Sequence, residues 1–332
     1  MNALLDVTAI GNAIVDVIAP AEESFLGDEG LTKSAMILID EARATELYGR
    51  MAAGVEASGG SAANTIAGIA NLGGRAAFVG KVAKDELGEI YAHDIRAVGA
   101  RFETEPLIGG PATARCLINV TPDGQRTMCT YLGACVELTT ADVSPELIEG
   151  AQIVFLEGYL FDPIEARLAF AKAAGLARAS GRKIALSLSD SFVVERHRAA
   201  LLGFIEGEVD ILLANESEIT ALFNTASFDE ALREIRKRVE IAALTRGARG
   251  SVVLAAGTEH TLAAEPVDRI VDTTGAGDQY AAGFLFGLAT GHPLEVCGGL
   301  GSLAAAEVIG HYGPRPATSL RELATSRGLI AA

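Results

Sequence analysis

From residue 152 onward, short apolar runs alternate with longer segments that have helical periodicity. The apolar runs predict strands over residues 152–156, 183–188, 209–214, 241–245 and 251–254. The other segments predict helices over residues 164–179, from about 192, and over 217–223, 228–238, 276–290 and 294–309. Strands that alternate with helices are typical of βαβ units, so this pattern predicts a mainly parallel sheet covered on both faces by helices.

The first 135 residues add a second pattern. They predict strands over residues 7–10, 37–39 and 76–79, and helices over 42–51, 62–72 and about 85–98. Two further apolar runs, 112–120 and 126–132, flank Pro122-Asp123-Gly124, which is typical of a hairpin turn. No predicted helix separates this hairpin from its neighbours, so we assign it to a second sheet. We therefore predict a lid built from residues 14–40 and 103–135, and a core built from residues 1–13, 41–102 and 136–332.

The charge of the chain excludes some classes of partner. Of its 332 residues, 27 are basic and 43 are acidic, which gives a net charge of −16. Nucleic-acid binding depends on Lys and Arg at phosphates, so we expect no nucleic-acid partner. The longest uncharged run, residues 57–74, is too polar and too rich in glycine to span a membrane. The expected partner is a small molecule.

The remaining composition points to a cytoplasmic protein. The first basic residue is Lys33, so the N-terminus lacks the positive region of a secretory signal. The four cysteines form no C-x-x-C pair, which favours reduced thiols over a zinc site or a disulfide framework. We therefore predict a cytoplasmic location. These features leave both a monomer and a homodimer open.

Glycine is in excess, with 37 residues, yet the standard phosphate-binding motifs of P-loop NTPases, Rossmann dehydrogenases and protein kinases are absent. The most informative glycines lie in Gly275-Ala276-Gly277, between a predicted strand at 269–271 and an apolar helix. Small residues at a helix start let several N–H groups point at one phosphoryl group. Asp278 follows them, where a carboxylate fits a base for an alcohol that attacks phosphorus. Taken alone, the stretch equally fits Asp278 as a helix N-cap.

Four motifs together resemble the ribokinase-like (PfkB) family of carbohydrate and nucleoside kinases, across essentially the whole chain. Residues 272–284 are similar to the second signature of that family. The first signature is matched by Gly59-Gly60-Ser61-Ala62-Ala63-Asn64-Thr65, followed by Gly73, Gly80, Asp85 and Gly88. The family's N-x-x-E and T-x-G-x-x-G motifs are matched by residues 215–218 and 245–250. The resemblance implies a three-layer α/β/α core with a mainly parallel sheet and a small β-sheet lid. It also implies ATP and Mg²⁺ as cofactors and is compatible with a monovalent cation such as K⁺.

The resemblance also assigns roles to residues. Asp278 would be the catalytic base, and Gly275, Ala276 and Gly277 the anion hole, where fixed N–H dipoles meet the charge on the phosphoryl group. The residues implied to bind ATP are Asn215, Thr245, Gly247 and Gly250. Glu218 would hold Mg²⁺ through water, because this ion keeps much of its hydration shell. The local alternative for Asn215 and Glu218 is a helix cap with an acidic first turn.

The acceptor site is expected just past the first strand. Asn12 and Asp16 would lie near its carboxyl end, where open α/β sheets bind ligands, and an amide with a carboxylate can grip vicinal hydroxyls. By the resemblance, these two residues hold a sugar together with Gly60, Ser61 and Asn64. The alternative for Asp16 is a solvated residue of the lid.

Within the family, several segments are more similar to adenosine kinases than to ribokinases or fructokinases. These are residues 36–41, 126–128 with 131–134, 186–189 and 311–313. Thr274 stands where many adenosine kinases carry Asn, and this departure keeps a sugar kinase as the alternative. A catalytically silent sensor on the same scaffold is a third hypothesis, which the intact base at Asp278 disfavours.

Four further side chains near the expected site each have an alternative interpretation. Arg126 is similar to the lid arginine that approaches the phosphates in this family, and Arg115 on the facing strand competes with it. The alternative for Arg126 is an exposed residue beside a turn. Tyr159 and Phe161 follow the strand at 152–156 and could stack on a purine, although core packing suits at least one of them.

Overall fold

The fold rests on two β-sheets, seen in a computed structural model that describes residues 4–255 and 257–331. The larger sheet contains β1 (Leu5–Ile10), β5 (Ala76–Val79), β6 (Arg101–Phe102), β9 (Ala151–Glu157), β10 (Lys183–Ser187), β11 (Ile211–Asn215), β12 (Ile241–Thr245), β13 (Ser251–Ala255) and β14 (Thr258–Leu262). Their order is β14-β13-β12-β11-β10-β9-β1-β5-β6. The strands pair in parallel except β13, which is antiparallel to both β12 and β14.

The smaller sheet contains β2 (Ile14–Pro20), β3 (Met36–Leu38), β4 (Val55–Gly59), β7 (Ala114–Val120) and β8 (Arg126–Tyr131), in the order β3-β8-β7-β2-β4. Strands β7 and β8 form the predicted hairpin. Strand β4 is a finding that the sequence did not predict, and it lies within a segment that we expected in the core.

Twelve α-helices occur in the described residues. They are α1 (Glu23–Asp28), α2 (Glu41–Arg50), α3 (Ser61–Asn71), α4 (Glu86–Ala97), α5 (Pro145–Glu149), α6 (Ile164–Ala179), α7 (Ser191–Glu208), α8 (Glu216–Phe223), α9 (Phe228–Ile235), α10 (Ala276–Ala289), α11 (Leu294–Val308) and α12 (Leu320–Ser326). Helix α2 contacts β7 and β8 of the smaller sheet. No helix in the described part of the chain is both long enough and apolar enough to cross a membrane.

The larger sheet has an apolar core on each face, because successive side chains of a strand point to opposite sides. Phe155 of β9 packs in the same cluster as Ile66 of α3 and Phe284 of α10. Its neighbour Leu156 lies in the second cluster, with Phe170 of α6. This is the three-layer α/β/α arrangement that the sequence resemblance implied.

One predicted strand is wrong. Residues 269–271 are not a strand, and the side chain of Ile270 is 60% exposed. The only sheet-like backbone bond of this stretch runs from Val271 N to Ile309 O, over 2.8 Å. The edge of the larger sheet is instead formed by β14, whose polar sequence gave no strand signal.

Candidate active site

Asp278 lies where two helix starts meet. Its Oδ1 accepts a hydrogen bond from Ser61 Oγ at 2.6 Å, and its Oδ2 accepts one from Asn64 Nδ2 at 3.1 Å. Both donors belong to the first turn of α3, whereas Asp278 is the third residue of α10. The N-cap of α10 is Gly275, so Asp278 is not a helix cap. Burial raises the pKa of Asp278 above its ordinary value, and the two hydrogen bonds partly offset this.

The loop before α10 can only be built with glycine at its turn. Gly275 has φ +78°, and a Cβ there would come within 2.6 Å of the Pro314 backbone. The loop is braced by Asp272, whose Oδ1 accepts from Thr274 N at 3.1 Å and from Thr274 Oγ1 at 2.8 Å. Its Oδ2 accepts from Gly313 N at 3.1 Å. The N–H groups of Ala276 and Gly277 therefore belong to a helix start of fixed shape.

Arg126 reaches this loop from the smaller sheet. Its Nη2 lies 2.7 Å from Asp272 Oδ2, and its guanidinium stacks over the Tyr312 ring at 5.6 Å. The residue is only 8% exposed, yet none of its guanidinium nitrogens makes a well-aligned hydrogen bond within the described residues. Arg115, the competing candidate, instead donates to Thr45 Oγ1 at 2.7 Å. Of the two arginines, the structure brings only Arg126 to the loop, and it is buried rather than exposed.

Asn12 is held in place by Glu157, a residue that the sequence analysis missed. Glu157 Oε1 accepts from the backbone N of Asn12 at 3.3 Å and from its Nδ2 at 2.8 Å, while Oε2 accepts from Ala62 N at 2.8 Å. Glu157 is 1% exposed, and burial raises its pKa to about 7. This one carboxyl group joins the end of β1 to the start of α3. Its only local signal is an acidic residue at the end of an apolar strand.

Asp16 lies against the glycines that enter α3. A Cβ on Gly59 would overlap the Asp16 carboxylate, and a Cβ on Gly60, which has φ +98°, would overlap the Asn12 carbonyl oxygen. Burial raises the pKa of Asp16 to about 7; Arg315 and Arg126 lower it and Asp278 raises it further. The side chain is half-buried among these groups rather than freely solvated, although β2, which carries it, belongs to the smaller sheet.

A cavity of about 510 Å³ opens beside the loop that precedes α10. Of the residues predicted to bind ATP, Thr245, Gly247 and Gly250 line it and Asn215 does not, and Ala276 and Gly277 of the predicted anion hole line it as well. Its opposite wall is made of small residues of α11, namely Ser302, Ala305 and Ala306. The cavity is mostly apolar, and its lining residue Gly277 directly precedes Asp278. This arrangement suits a purine whose phosphates extend toward the loop.

Asn215 and Glu218 pair with each other. Glu218 Oε1 accepts from Asn215 Nδ2 at 2.6 Å, and Asn215 Oδ1 accepts from Glu218 N at 2.9 Å, as in a capping box. Burial, with the negative charges of Asp190 and Asp278, raises the pKa of Glu218 to about 7. The described residues contain no group of three or more His, Cys, Asp or Glu placed to ligate a metal. A divalent cation near Glu218 would relieve the repulsion among these carboxylates, so the donor set fits Mg²⁺ held mainly by water and phosphate.

Phe161 packs in the core. It is 2% exposed and packs edge-on against Phe170 and Phe204, which matches the core-packing alternative expected for at least one of the two aromatic residues. Tyr159 is half-buried and packs against the same core. All four cysteines are buried and unpaired, in agreement with reduced thiols.

The chain is similar to known kinases over nearly its whole length. The pfkB family carbohydrate kinase profile matches residues 5–320. The crystal structure of adenosine kinase from Sinorhizobium meliloti is 52% identical, with a TM-score of 0.90, and the match covers 98% of this chain and all of that one. The crystal structure of a probable sugar kinase protein from Rhizobium etli CFN 42 is 49% identical, with a TM-score of 0.92, over 99% of this chain and 100% of that one.

A more distant relative is also similar over most of the chain. Adenosine kinase of Saccharomyces cerevisiae is 28% identical over 330 residues, which are 92% of this chain and 95% of the yeast protein. The family profile, the two solved structures and the site geometry lead to one assignment. The chain belongs to the PfkB family of carbohydrate and nucleoside kinases, has the ribokinase-like fold, and is a phosphotransferase with a hydroxyl acceptor.

Proposed function

We propose that this protein transfers the γ-phosphoryl group of ATP to the ribose 5′-hydroxyl of a nucleoside, with adenosine as the acceptor and AMP and ADP as the products. The position of Asp278 carries this proposal. Its carboxylate is held by Ser61 and Asn64 on the acceptor side, and its backbone follows Gly277 of the nucleotide cavity. A base at this junction can reach a hydroxyl group that points at the phosphoryl group.

Asp278 acts as the general base. As the 5′-oxygen forms its bond to the γ-phosphorus, the hydroxyl proton passes to the Asp278 carboxylate, and the bond from phosphorus to the bridging oxygen of ADP breaks. The raised pKa of Asp278 makes it a stronger base than an ordinary aspartate. Asn12 and Asp16 hold the ribose hydroxyls, and Gly60 allows the backbone to approach the sugar.

The N–H groups of Gly275, Ala276 and Gly277 meet the charge that develops on the transferred phosphoryl group, and the Ala276 N–H, which donates to Thr273 O at 3.2 Å in this structure, exchanges that bond for a phosphoryl oxygen. Arg126 adds a positive charge from the smaller sheet, because its buried guanidinium has nitrogens free to donate. Glu218 would hold Mg²⁺ through water, and the bound ion would neutralise charge on the ATP phosphates. Thr245, Gly247 and Gly250 would enclose the adenine and ribose of ATP.

The smaller sheet supports a nucleoside acceptor. Strand alternation puts the following residues on the same face as Asp16 and Arg126: Ile18, Met36, Leu38, Val55, Cys116, Ile118 and Met128. Met36, Leu38 and Val55 are exposed on this face although they are apolar. Met36 and Leu38 lie at one edge of the sheet and Val55 at the other, so a nucleobase would cover part of this apolar face, whereas a free sugar would leave more of it in water. We therefore propose that the sheet is a lid that closes over the base and excludes water from the phosphoryl group.

A sugar kinase is the second candidate. The residues proposed to bind the acceptor, Asn12, Asp16 and Asn64, address hydroxyl groups that a free sugar also carries. The 49% identity to a probable sugar kinase protein favours this alternative.

An acceptor panel distinguishes the two candidates. ADP release is measured with ATP and adenosine, guanosine, cytidine, ribose or fructose at equal concentrations. We expect the highest kcat/KM with adenosine. A kcat/KM for ribose or fructose far above that for every nucleoside would replace the nucleoside assignment with a sugar kinase.

The role of Asp278 is tested by Asp278→Asn, which keeps the shape of the side chain and removes the base. We expect kcat to fall by at least roughly 10²-fold while adenosine binding, measured by calorimetry, stays close to that of the wild type. Asp229→Asn, at an exposed position of α9, is the matched control. Unchanged turnover in Asp278→Asn would mean that another group accepts the proton.

A further inference from the structure

Arg315 forms a three-way contact that none of the motifs contains. It lies in the segment between α11 and α12, and its side chain is mostly buried. Nη1 donates to Asp94 Oδ2 at 2.9 Å, Nη2 donates to Ser58 Oγ at 2.7 Å, and Nε donates to Asn64 Oδ1 at 3.4 Å. The planar guanidinium thus connects three elements: α4, β4 and α3.

The contact with Asn64 determines how the Asn64 amide is turned. Its oxygen faces Arg315, so its NH₂ group faces the carboxylate of Asp278. A flipped amide would place NH₂ against a guanidinium and an oxygen against a carboxylate, and both contacts would be repulsive. Arg315 therefore selects the one orientation in which Asn64 donates to Asp278.

The contact with Ser58 reaches the acceptor site from the other side. Ser58 precedes Gly59, whose backbone lies against the Asp16 carboxylate. Asp94 fixes both partners, because its Oδ2 accepts from Ser58 N at 2.8 Å and from Ser58 Oγ at 2.5 Å as well as from Arg315. Arg315 thus holds together β4, whose Gly59 lies against Asp16, and α3, which carries Asn64.

The charge of Arg315 acts on the same site. Asp16 is half-buried, and Arg315 is the cation that most favours its ionised form, ahead of Arg126. Asp278 acts in the opposite direction. Loss of the positive charge at position 315 would therefore make Asp16 harder to ionise.

We infer that Arg315 is a positioning residue for acceptor binding, which orients Asn64 toward Asp278 and holds Ser58 next to the glycines that contact Asp16. This inference rests on the proposed function, and it concerns the acceptor rather than the nucleotide, because Arg315 is not among the residues that line the 510 Å³ cavity.

The test compares Arg315→Gln, Arg315→Lys and the wild type, with adenosine and with ribose as acceptors. Arg315→Gln removes the positive charge and part of the set of three N–H donors. We therefore expect KM for the acceptor to rise by roughly tenfold while KM for ATP stays within about twofold. Arg315→Lys keeps the charge but cannot make three directed contacts. It should also raise KM for the acceptor.

The pH profile separates charge from geometry. The acid limb of kcat/KM reports groups of the free enzyme, including Asp16. In Arg315→Gln the pKa of Asp16 rises, so the acid limb should move up by about half a pH unit. In Arg315→Lys the limb should stay close to that of the wild type. Arg236→Gln, which removes an exposed arginine paired with Glu259, is the matched control and should match the wild type in both measurements.

The outcomes are distinguishable. If the wild type phosphorylates adenosine and Arg315→Gln keeps its KM and its pH profile, the inference is wrong and the proposed function stands. The inference also fails if KM for ATP rises as much as KM for the acceptor. A wild type that turns over neither adenosine nor ribose would refute both. Thermal unfolding of each variant, compared with Arg236→Gln, identifies any loss that comes from folding alone.

Discussion

Glu157→Gln gives a sharp test of the electrostatics beneath the acceptor site. The change keeps the size of the side chain and replaces one carboxyl oxygen by an NH₂ group. In the wild type both oxygens accept from N–H groups, two on Asn12 and one on Ala62. At least one buried donor loses its partner, so we expect Glu157→Gln to lower the free energy of unfolding at pH 5 by about 1–3 kcal/mol.

The pH dependence of that loss follows from the raised pKa of Glu157. Burial raises it from 4.5 to about 7 in the folded protein. Between these two values the folded state binds more protons than the unfolded state, so the wild type loses stability as the pH rises. The total is roughly 3 kcal/mol, at about 1.4 kcal/mol per tenfold change in proton affinity. Gln does not titrate, so the deficit of the variant should shrink by roughly 2–3 kcal/mol between pH 5 and pH 8.

The assay is urea unfolding of both proteins at pH 5, 6, 7 and 8, followed by circular dichroism. Asp16 and Glu218, which also have raised pKa values, are present in both proteins and largely cancel in the difference. Glu165→Gln, at an exposed position of α6, is the matched control and should show a small difference at every pH. A deficit for Glu157→Gln that stays constant or grows from pH 5 to pH 8 would refute the reasoning.

Three further substitutions test separate parts of the site. Gly60→Ala adds a Cβ at φ +98° that overlaps the Asn12 carbonyl oxygen, so it should lower the free energy of unfolding by at least about 1–2 kcal/mol and raise KM for the acceptor, measured by thermal unfolding and by ADP release. Arg126→Gln should lower kcat by roughly 10²-fold with little change in adenosine affinity, measured by steady-state kinetics and calorimetry. Ala306→Leu fills the nucleotide cavity and should raise KM for ATP but not for the acceptor, with Ala179→Leu at an exposed position as the control.

Each of these expectations has an opposite result. Wild-type stability of Gly60→Ala would show that the backbone near α3 can move away from Asn12. Equal kcat in Arg126→Gln and the wild type would leave this arginine with its ion pair to Asp272 as its only role. An unchanged KM for ATP in Ala306→Leu would place the nucleotide outside the cavity.

The parts of the site that could be predicted from sequence are those where the backbone itself requires a certain residue. Gly60 and Gly275 have positive φ and lie too close to neighbouring backbone for a Cβ. Such positions leave a mark in the local sequence, since only glycine serves there. The buried parallel strands were predictable for a similar reason, because burial on both faces demands an unbroken apolar run.

Three of the strands that the sequence analysis missed, β4, β6 and β14, lie at sheet edges, whereas β2, which it also missed, lies inside the smaller sheet between β7 and β4. β4 has the sequence VEASG and β14 the sequence TEHTL, and each has a strand partner on one side only. An edge strand has water on its other side and part of its faces exposed, so its sequence can be polar. The stretch at 269–271 gave the opposite error: Ile270 and Val271 suggested a strand, but the Arg269 and Ile270 side chains are exposed and the stretch joins neither sheet.

Glu157 and Arg315 could not be found from sequence for a different reason. Glu157 binds a residue 145 positions away, and Arg315 binds one 251 positions away. Neither has a backbone conformation or a spacing that sets it apart from an ordinary acidic or basic residue. What requires Glu157 and Arg315 is the residue that each one contacts. Asn12 and Asn64 can present their amides to an acceptor only if another side chain fixes which way each amide is turned. A motif therefore identifies the groups that would touch the substrate, whereas the residues that orient those groups become visible only when the fold brings them together.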